Sequence, residues 1–425
     1  MSLFGGVISI TGVAYLMFCV FVIAALGYLL GRITVKGVSL GTAGVFIVAL
    51  LFGAFFYESV CNTLPVKVAG IAVTNYASQA LKVIENIGLV FFVTAVGFIA
   101  GPNFFKNLKK NFKSYILLGV IIILAGGLTC VGCYYLGRGA EEDPKQFVAM
   151  LDGILSGALT STPGFSAAKE TVKNMYEGST ASAYESAVTV GHGIAYLFGV
   201  IGVVLFVQLI PKFAKANMEE ERAKLVSVDV GAKKEYKGKL INIDPLGIAA
   251  FALAAFIGIF IGSIKIPLSA KGLSGTCFSL TTTGGTLIAA LVFGHFAHFG
   301  PVNVTPNKKM LEVFRELGLM LFLIGAGIPG GADFVEYFKP VYFLYGALMT
   351  LVPMLIGYLF AKYVLKLSLL NNLGSITGGM TSTPALGTLI NVSGTEDVAS
   401  AYAATYPIAL LAVVLVSQFL IVIFG

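Results

Sequence analysis

Thr160-Ser161-Thr162-Pro163 is written twice in this chain, returning as Thr381-Ser382-Thr383-Pro384 at an offset of 221 positions. The first copy sits in DGILSGALTSTPGFSAAKE, from Asp152, and the second in LGSITGGMTSTPALGTLIN, from Leu373. At the same offset Gly153 meets Gly374 and Gly157 meets Gly378. One four-residue word carries little, but two copies in matching contexts mark an internal duplication. A hydroxyl residue followed by proline is how a helix begins: the hydroxyl takes an orphan amide, and proline gives up an N–H that had no partner. This reading puts N-caps at Thr162 and Thr383, with helices starting at Pro163 and Pro384. Each start carries free N–H groups and roughly half a positive charge. The hydroxyls of Thr160, Ser161, Thr381 and Ser382 stand beside them. Two such starts meeting inside a membrane make a site for an anion without a buried lysine or arginine. The plainer alternative is two ordinary proline-started helices, against which the duplication weighs.

The surrounding chain is built for a bilayer. Of its 425 residues 57% are hydrophobic and 12% charged, with mean hydropathy +0.90, against about 25% charged in soluble domains. Apolar runs near the roughly 20 residues needed to cross recur at about 8–30, 40–57, 87–101, 115–137, 186–210, 245–263, 280–297, 312–329, 340–361 and 399–424. The first lacks a basic lead and a small-residue cleavage site, so it reads as a retained helix. With no tryptophan, any interfacial aromatic belt rests on the 18 tyrosines. Of the five cysteines, Cys130 and Cys133 form a CxxC inside an apolar run without nearby ligand partners, which reads as small-residue packing rather than redox chemistry or a metal site. No metal site and no cofactor are expected. The net charge of +7 is a matter of topology, so no nucleic-acid partner is inferred.

The two halves match beyond the opening word. At an offset of 241, Gly44, Ala49, Leu50, Phe52, Gly53 and Phe55 meet Gly285, Ala290, Leu291, Phe293, Gly294 and Phe296. At 230, Gly88, Leu89, Phe92, Gly97, Gly101 and Phe104 meet Gly318, Leu319, Phe322, Gly327, Gly331 and Phe334. The long polar stretch 211–244 holds eight of the 28 basic residues and is expected in the cytoplasm. The lysine-rich loop 102–114 shares that side only if the first TSTP segment dips in and returns. Each half then has five crossings, an odd number. The second half is thereby inserted upside down, the termini lie outside, and the two hairpins meet near the midplane from opposite faces. Glycines 157, 378 and 379 suit the tight turns of such hairpins, and Gly44, Gly53, Gly285 and Gly294 suit close helix packing. Residues 61–84 are expected to form a surface helix.

Two glycine-preceded TSTP motifs, one per half around a central cytoplasmic loop, resemble the aspartate:alanine exchanger family over nearly the whole chain. The resemblance implies an all-α polytopic membrane protein with an inverted repeat, about five transmembrane helices plus one re-entrant TSTP hairpin per half. It implies a first repeat at 1–210, with scaffold helices 8–57 and transport part 87–210. After the 211–244 linker comes a second repeat at 245–425, with scaffold 245–297 and transport part 312–424. It also implies elevator-type exchange of small carboxylates, such as aspartate and alanine or four-carbon dicarboxylates, across a bacterial inner membrane. By position, Thr160–Pro163 and Thr381–Pro384 would hold the substrate, and scaffold helices would join a homodimer. Many members carry regulatory ligand-binding domains in the central loop; here only a linker is present.

His192, in Gly191-His192-Gly193, could carry a coupled proton, with Thr405-Tyr406-Pro407 as the matching region of the second half; a packed histidine is the plainer reading. Asp152 opens the first hairpin, Glu185 precedes a crossing as an outward-facing charge, and Arg315 reads as a helix-end arginine. Alternatives to an exchanger are an ion-coupled symporter or exporter of an organic anion, an ion channel, and an intramembrane serine enzyme. A hydrolase would need Ser161 or Ser382 paired with a base, and three histidines with a symmetric serine motif do not suggest one.

Overall fold

The computed structural model describes residues 2–3, 8–35, 38–39, 41–63, 66–68, 71–73, 76–110, 112–225, 240–267, 277–395 and 397–425. These are mostly helical. Among the described residues seven helices are long and apolar enough to cross a membrane: Gly12–Gly31, Gly44–Asn62, Tyr76–Pro102, Ser114–Ala140, Gly178–Phe213, Val341–Tyr363 and Val398–Phe424. Several are apolar all round, and large side chains such as Phe21, Phe55, Leu128 and Leu344 remain exposed on them, as lipid-facing positions require.

The chain divides into two compact units, Met1–Phe92 with Glu316–Phe338, and Val93–Arg315 with Lys339–Gly425. The first holds α1 (Gly12–Gly31), α2 (Ala43–Thr63), the start of α3 (Tyr76–Lys110), residues 316–332 of α11 (Lys308–Ala332) and α12 (Phe334–Tyr337). Leu16, Ile23, Ala49, Leu81 and Ile324 form its core. Its helices approach through glycine. A Cβ added at Gly53 would lie 2.0 Å from the Ile328 carbonyl oxygen, and one at Gly331 would lie 2.0 Å from that of Leu50. Gly88 and Gly318, matched at the 230 offset, meet each other: a Cβ on either would lie 2.6 or 2.7 Å from the other's carbonyl oxygen.

The second unit holds α4 (Leu117–Gly137), α5 (Pro144–Ala158), α6 (Thr162–Met175), α7 (Gly178–Phe213), α8 (Met218–Ala223), α9 (Ile248–Gly262), α10 (Thr281–Phe296), α13 (Val341–Tyr363), α14 (Leu369–Gly379), α15 (Thr383–Ser393) and α16 (Val398–Phe424). There the matched contact recurs: a Cβ on Gly101 would lie 2.9 Å from the Gly294 Cα. Gly101 and Gly294 are the offset partners of Gly331 and Gly53. The second helix of each half thus packs by the same glycines on the third helix of the other.

Some expectations change. Residues 102–114 are not a loop: α3 continues to Lys110, and a π-turn at Phe112–Ile116 leads into α4. Lysine is a good helix former, so a charged run can carry a helix onward. Residues 61–84 are not a surface helix either. Here α2 ends at Thr63, Val66–Val68 pairs antiparallel with Ile71–Val73, and α3 begins at Tyr76. β-Branched Val66, Val68, Ile71 and Val73 favour strand there. Glu185 lies within α7 rather than before it, and is buried. Of the 211–244 linker, 226–239 lie outside the described residues.

The Gly88–Gly318 approach leaves no room for a side chain. Gly318→Leu should destabilise the protein by about 1–3 kcal/mol or more, the cost of overpacking. The fraction of monodisperse protein and the melting temperature in detergent measure this; an unchanged melt would mean the helices can separate there freely.

Candidate functional site

Both TSTP words lie where one helix ends and the next begins, and the backbone makes the same turn twice. Helix α5 ends at Ala158, and the Ser161 amide donates to the Ser156 carbonyl (2.8 Å) while that of Thr160 donates to Gly157 (2.9 Å). In the second copy Ser382 donates to Thr377 (2.9 Å) and Thr381 to Gly378 (3.1 Å). This is the Schellman helix ending, which needs a left-handed residue and usually takes glycine. Here the position is threonine, with φ of 52° at Thr160 and 51° at Thr381. A β-branched residue there is strained.

The strained residues close on each other. The Thr160 hydroxyl donates to the Met380 carbonyl (3.0 Å), and the Thr381 hydroxyl donates to the Leu159 carbonyl (2.8 Å). Leu159 and Met380 are themselves 221 positions apart, so the two bonds are exchanged copies of one contact. Glycine would relax the backbone but could not form it.

Each TSTP word is the tip of a helical hairpin. Gly153 packs on the Val188 carbonyl and Gly157 on that of His192, so α5 runs beside α7 in the same direction. Helix α6 comes back: Phe165 stacks on His192 at 4.2 Å, and Tyr176 meets Tyr184 at 4.7 Å. The Tyr184 hydroxyl also donates to Asp143 Oδ2 (2.6 Å), so both legs of the first hairpin end at the start of α7. In the second hairpin Gly374 packs on the Val398 carbonyl and Gly378 on that of Tyr402. Its two ends meet α8, where Glu221 accepts from the Leu369 amide (3.2 Å) and Arg222 donates to the Ser393 carbonyl (2.8 Å). The open ends lie at opposite ends of α7, a helix of 36 residues and about 54 Å. At 15 and 11 residues, α5 and α14 are about 22 and 17 Å long, short of the roughly 30 Å of hydrocarbon.

The caps sit one residue earlier than expected. Ser161 and Ser382, not Thr162 and Thr383, are the N-caps, with extended backbones at φ −100° and −95°; Thr162 and Thr383 open the helices, and Pro163 and Pro384 occupy the second position. Proline fits there as well, because none of the first four amides has an intrahelical partner. The first hairpin's first helix begins at Pro144 with Asp143 as its cap. Asp152 therefore lies within the hairpin and does not open it.

The two caps differ. Ser161 Oγ accepts from the Gly164 amide (3.2 Å). Ser382 makes no capping bond, so the amide of Ala385, matching Gly164, is left uncapped by it. The Ser382 hydroxyl is fully buried and unpartnered among the described residues. Thr162 is buried, whereas Thr383 is exposed, with its hydroxyl 3.2 Å from that of Tyr402. Tyr402 stacks on Tyr406 at 4.9 Å, and the guanidinium of Arg315 acts electrostatically on both phenols. The glycine contacts make Tyr402, not Thr405-Tyr406-Pro407, the counterpart of His192, since each carbonyl receives the matched glycine. His192 is fully buried, with Nδ1 2.9 Å from Ser156 Oγ. Sequence reasoning missed Tyr402 because the offset between the halves changes again after the second hairpin.

Gly378 and Gly379 close the first helix of the second hairpin, as Gly157 does in the first; a Cβ at Gly157 would lie 2.5 Å from the His192 carbonyl oxygen, and one at Gly379 2.5 Å from Ile122 Cδ1. Among the described residues no group of three histidine, cysteine or acidic side chains is arranged to hold a metal.

A family described as "Predicted Permease Membrane Region" (Asp-Al_Ex) matches residues 19–212 and 250–422, one segment per half. The chain is similar to an uncharacterized transporter of Bacteroides thetaiotaomicron, 26% identical over 94% of this chain and 97% of the relative. It is also similar to one of Desulfotalea psychrophila, 24% identical over 96% of this chain and 97% of the relative. Both alignments, of 558 and 564 positions, exceed this chain's 425 residues, so the relatives carry inserted positions that it lacks.

Two outcomes follow from this geometry. Thr160→Val and Thr381→Val should each cost about 0.5–1.5 kcal/mol, and Thr→Ser at either position should restore most of it; denaturant titration in detergent reads this out, and equal stability of Val and Ser variants would show that the hydroxyl bonds are idle. At Asp143, burial works against the charge, but the bonds from Tyr184 and the Gln146 and Lys145 amides outweigh it and hold the carboxyl below its usual range. Its stabilising effect is present above the ordinary carboxylate pKa of about 3.9 and is lost as pH falls through the lowered value. The melting-temperature gap between wild type and Asp143→Ala should therefore close in strong acid, and a gap that widens there would contradict the assignment.

Proposed function

Since the chain belongs to the aspartate:alanine exchanger family of membrane permeases, as a multi-pass protein of the cell membrane, we propose that it is a secondary exchanger of small carboxylates whose substrate binds at the paired hairpin tips. The observation that carries this is the start of α15. A buried, unpartnered Ser382 hydroxyl stands there beside uncapped helical amides, a combination suited to an anion. Thr383 and the Tyr402 hydroxyl line its accessible side, and Arg315 adds positive charge. An α-amino acid or a dicarboxylate offers a second polar end for those groups.

Exchange requires that the site face each side in turn. Support for an inverted repeat comes from the exchanged glycine contacts, from the paired threonine bonds and from hairpins opening at opposite ends of α7. Re-entrant hairpins follow from legs too short to cross. The threonine bonds tie the tips together, so the hairpins travel as one body, and an elevator-type movement of that body carries the substrate between faces.

The test is counterflow in liposomes holding purified protein. Uptake of labelled aspartate or a four-carbon dicarboxylate should be stimulated by unlabelled carboxylate inside; uptake indifferent to internal substrate would rule out an exchanger. Ser382→Ala and Tyr402→Phe should each raise the dissociation constant, by roughly ten-fold per 1.4 kcal/mol of lost interaction. Ser161→Ala should instead act through the cap, costing about 0.5–2 kcal/mol of stability. Unaltered affinity in Ser382→Ala would place the carboxylate elsewhere.

A further inference from the structure

Asp152 is a carboxyl that the anion site does not use. It lies within α5, fully buried, and neither oxygen has a hydrogen-bond partner among the described residues. Ser417 of α16 is also buried and acts on the carboxyl as a weak donor, outside normal hydrogen-bond geometry. Helix α5 packs against α4, α6, α7, α13 and α16. From α4, the Cys130 thiol is close enough to interact with Asp152 electrostatically. On α7, His192 is engaged with Ser156 and Phe165, and Glu185 lies about two turns before it. On α6 the Lys169 ammonium stands over the Phe165 ring, and on α13 Tyr345 packs on Phe147. Among the described residues no positive charge acts on Asp152.

An ionised carboxylate here would be an uncompensated charge away from water, which proteins avoid by keeping the acid protonated. A hard cation could also neutralise it, but such ions take about six oxygen ligands, and among the described residues no group of three acidic, histidine or cysteine side chains is arranged to hold one. We propose that Asp152 is a proton-binding site linked to the substrate: it holds a proton while an anion occupies the hairpin tips, and losing that proton weakens anion binding. Thr160 lies eight residues further along the chain, a rise of about 12 Å. Across that distance a new negative charge opposes an anion by on the order of ten-fold in affinity. By reciprocity, the bound anion strengthens the hold on the proton. Acid pH keeps full affinity, and rising pH erodes it.

The inference rests on the carboxylate-exchange reading, and the experiment separates the two. Aspartate binding to the full-length protein is measured by calorimetry from mildly acid to alkaline pH, in wild type and in Asp152→Asn, which keeps the shape and has no proton to lose. Wild-type affinity should fall about ten-fold as pH rises, while Asp152→Asn should keep the acid-pH affinity throughout. The same pH dependence in both overturns the proton site and leaves exchange standing. Absence of carboxylate binding at every pH overturns the exchange reading instead. Infrared difference spectra on a pH jump then decide the proton site alone: the carbonyl band of a protonated carboxylic acid should be present in wild type and lost in Asp152→Asn, and its survival in the variant refutes the assignment. If Asp152→Asn does not fold, Ser417→Ala should move the midpoint of that band's pH dependence, and an unmoved midpoint counts against it.

Discussion

Two hydroxyl bonds tie the tips of the two hairpins together, and both come from residues in an unfavourable backbone conformation. Thr160 and Thr381 occupy left-handed positions where glycine would sit without strain. What they gain is a donor that reaches the opposite turn, Thr160 to Met380 and Thr381 to Leu159. Both acceptors lie at helix C-termini, where carbonyls lack intrahelical partners. Each bond thus satisfies a group that the turn itself would leave exposed to a dry interior. Strain in one hairpin is compensated by the other, so neither turn is stable in this form without its partner.

That mutual dependence also brings two helix N-termini to one place. Paired positive ends are repulsive when empty and favourable around a negative ligand. The first end is closed by its own cap, with Ser161 on Gly164 and Phe165 stacked on His192. The second is left open at Ser382. A matched backbone therefore carries unmatched side chains at the two tips: His192 against Tyr402, and Phe165 against Leu386.

Much of this was legible in the sequence. The repeated word placed both turns, and the glycines at matched offsets marked the places where helices touch: Gly53 and Gly331, Gly101 and Gly294, Gly88 and Gly318. The cap position was not legible, because Ser-Thr-Pro offers two adjacent hydroxyls and only backbone geometry decides between them. The lysines of 102–114 hid a continuing helix, since charge marks exposure to water rather than a break in secondary structure. Asp152 resembles a helix start because aspartate is a favoured N-cap residue, yet Asp143 nine residues earlier takes that place; the burial of Asp152 comes from packing among neighbouring helices, which no local pattern reports.

The short helix α8 touches both legs of the second hairpin through neighbouring residues, Glu221 at Leu369 and Arg222 at Ser393. The legs of the first hairpin end instead at Tyr184, near the start of α7. Among the described residues, the stretch joining the halves is thus fastened through α8 to both legs of the second hairpin. Any displacement of α8 is thereby passed to both legs of that hairpin at once, as by a lever arm with its purchase on Leu369 and Ser393.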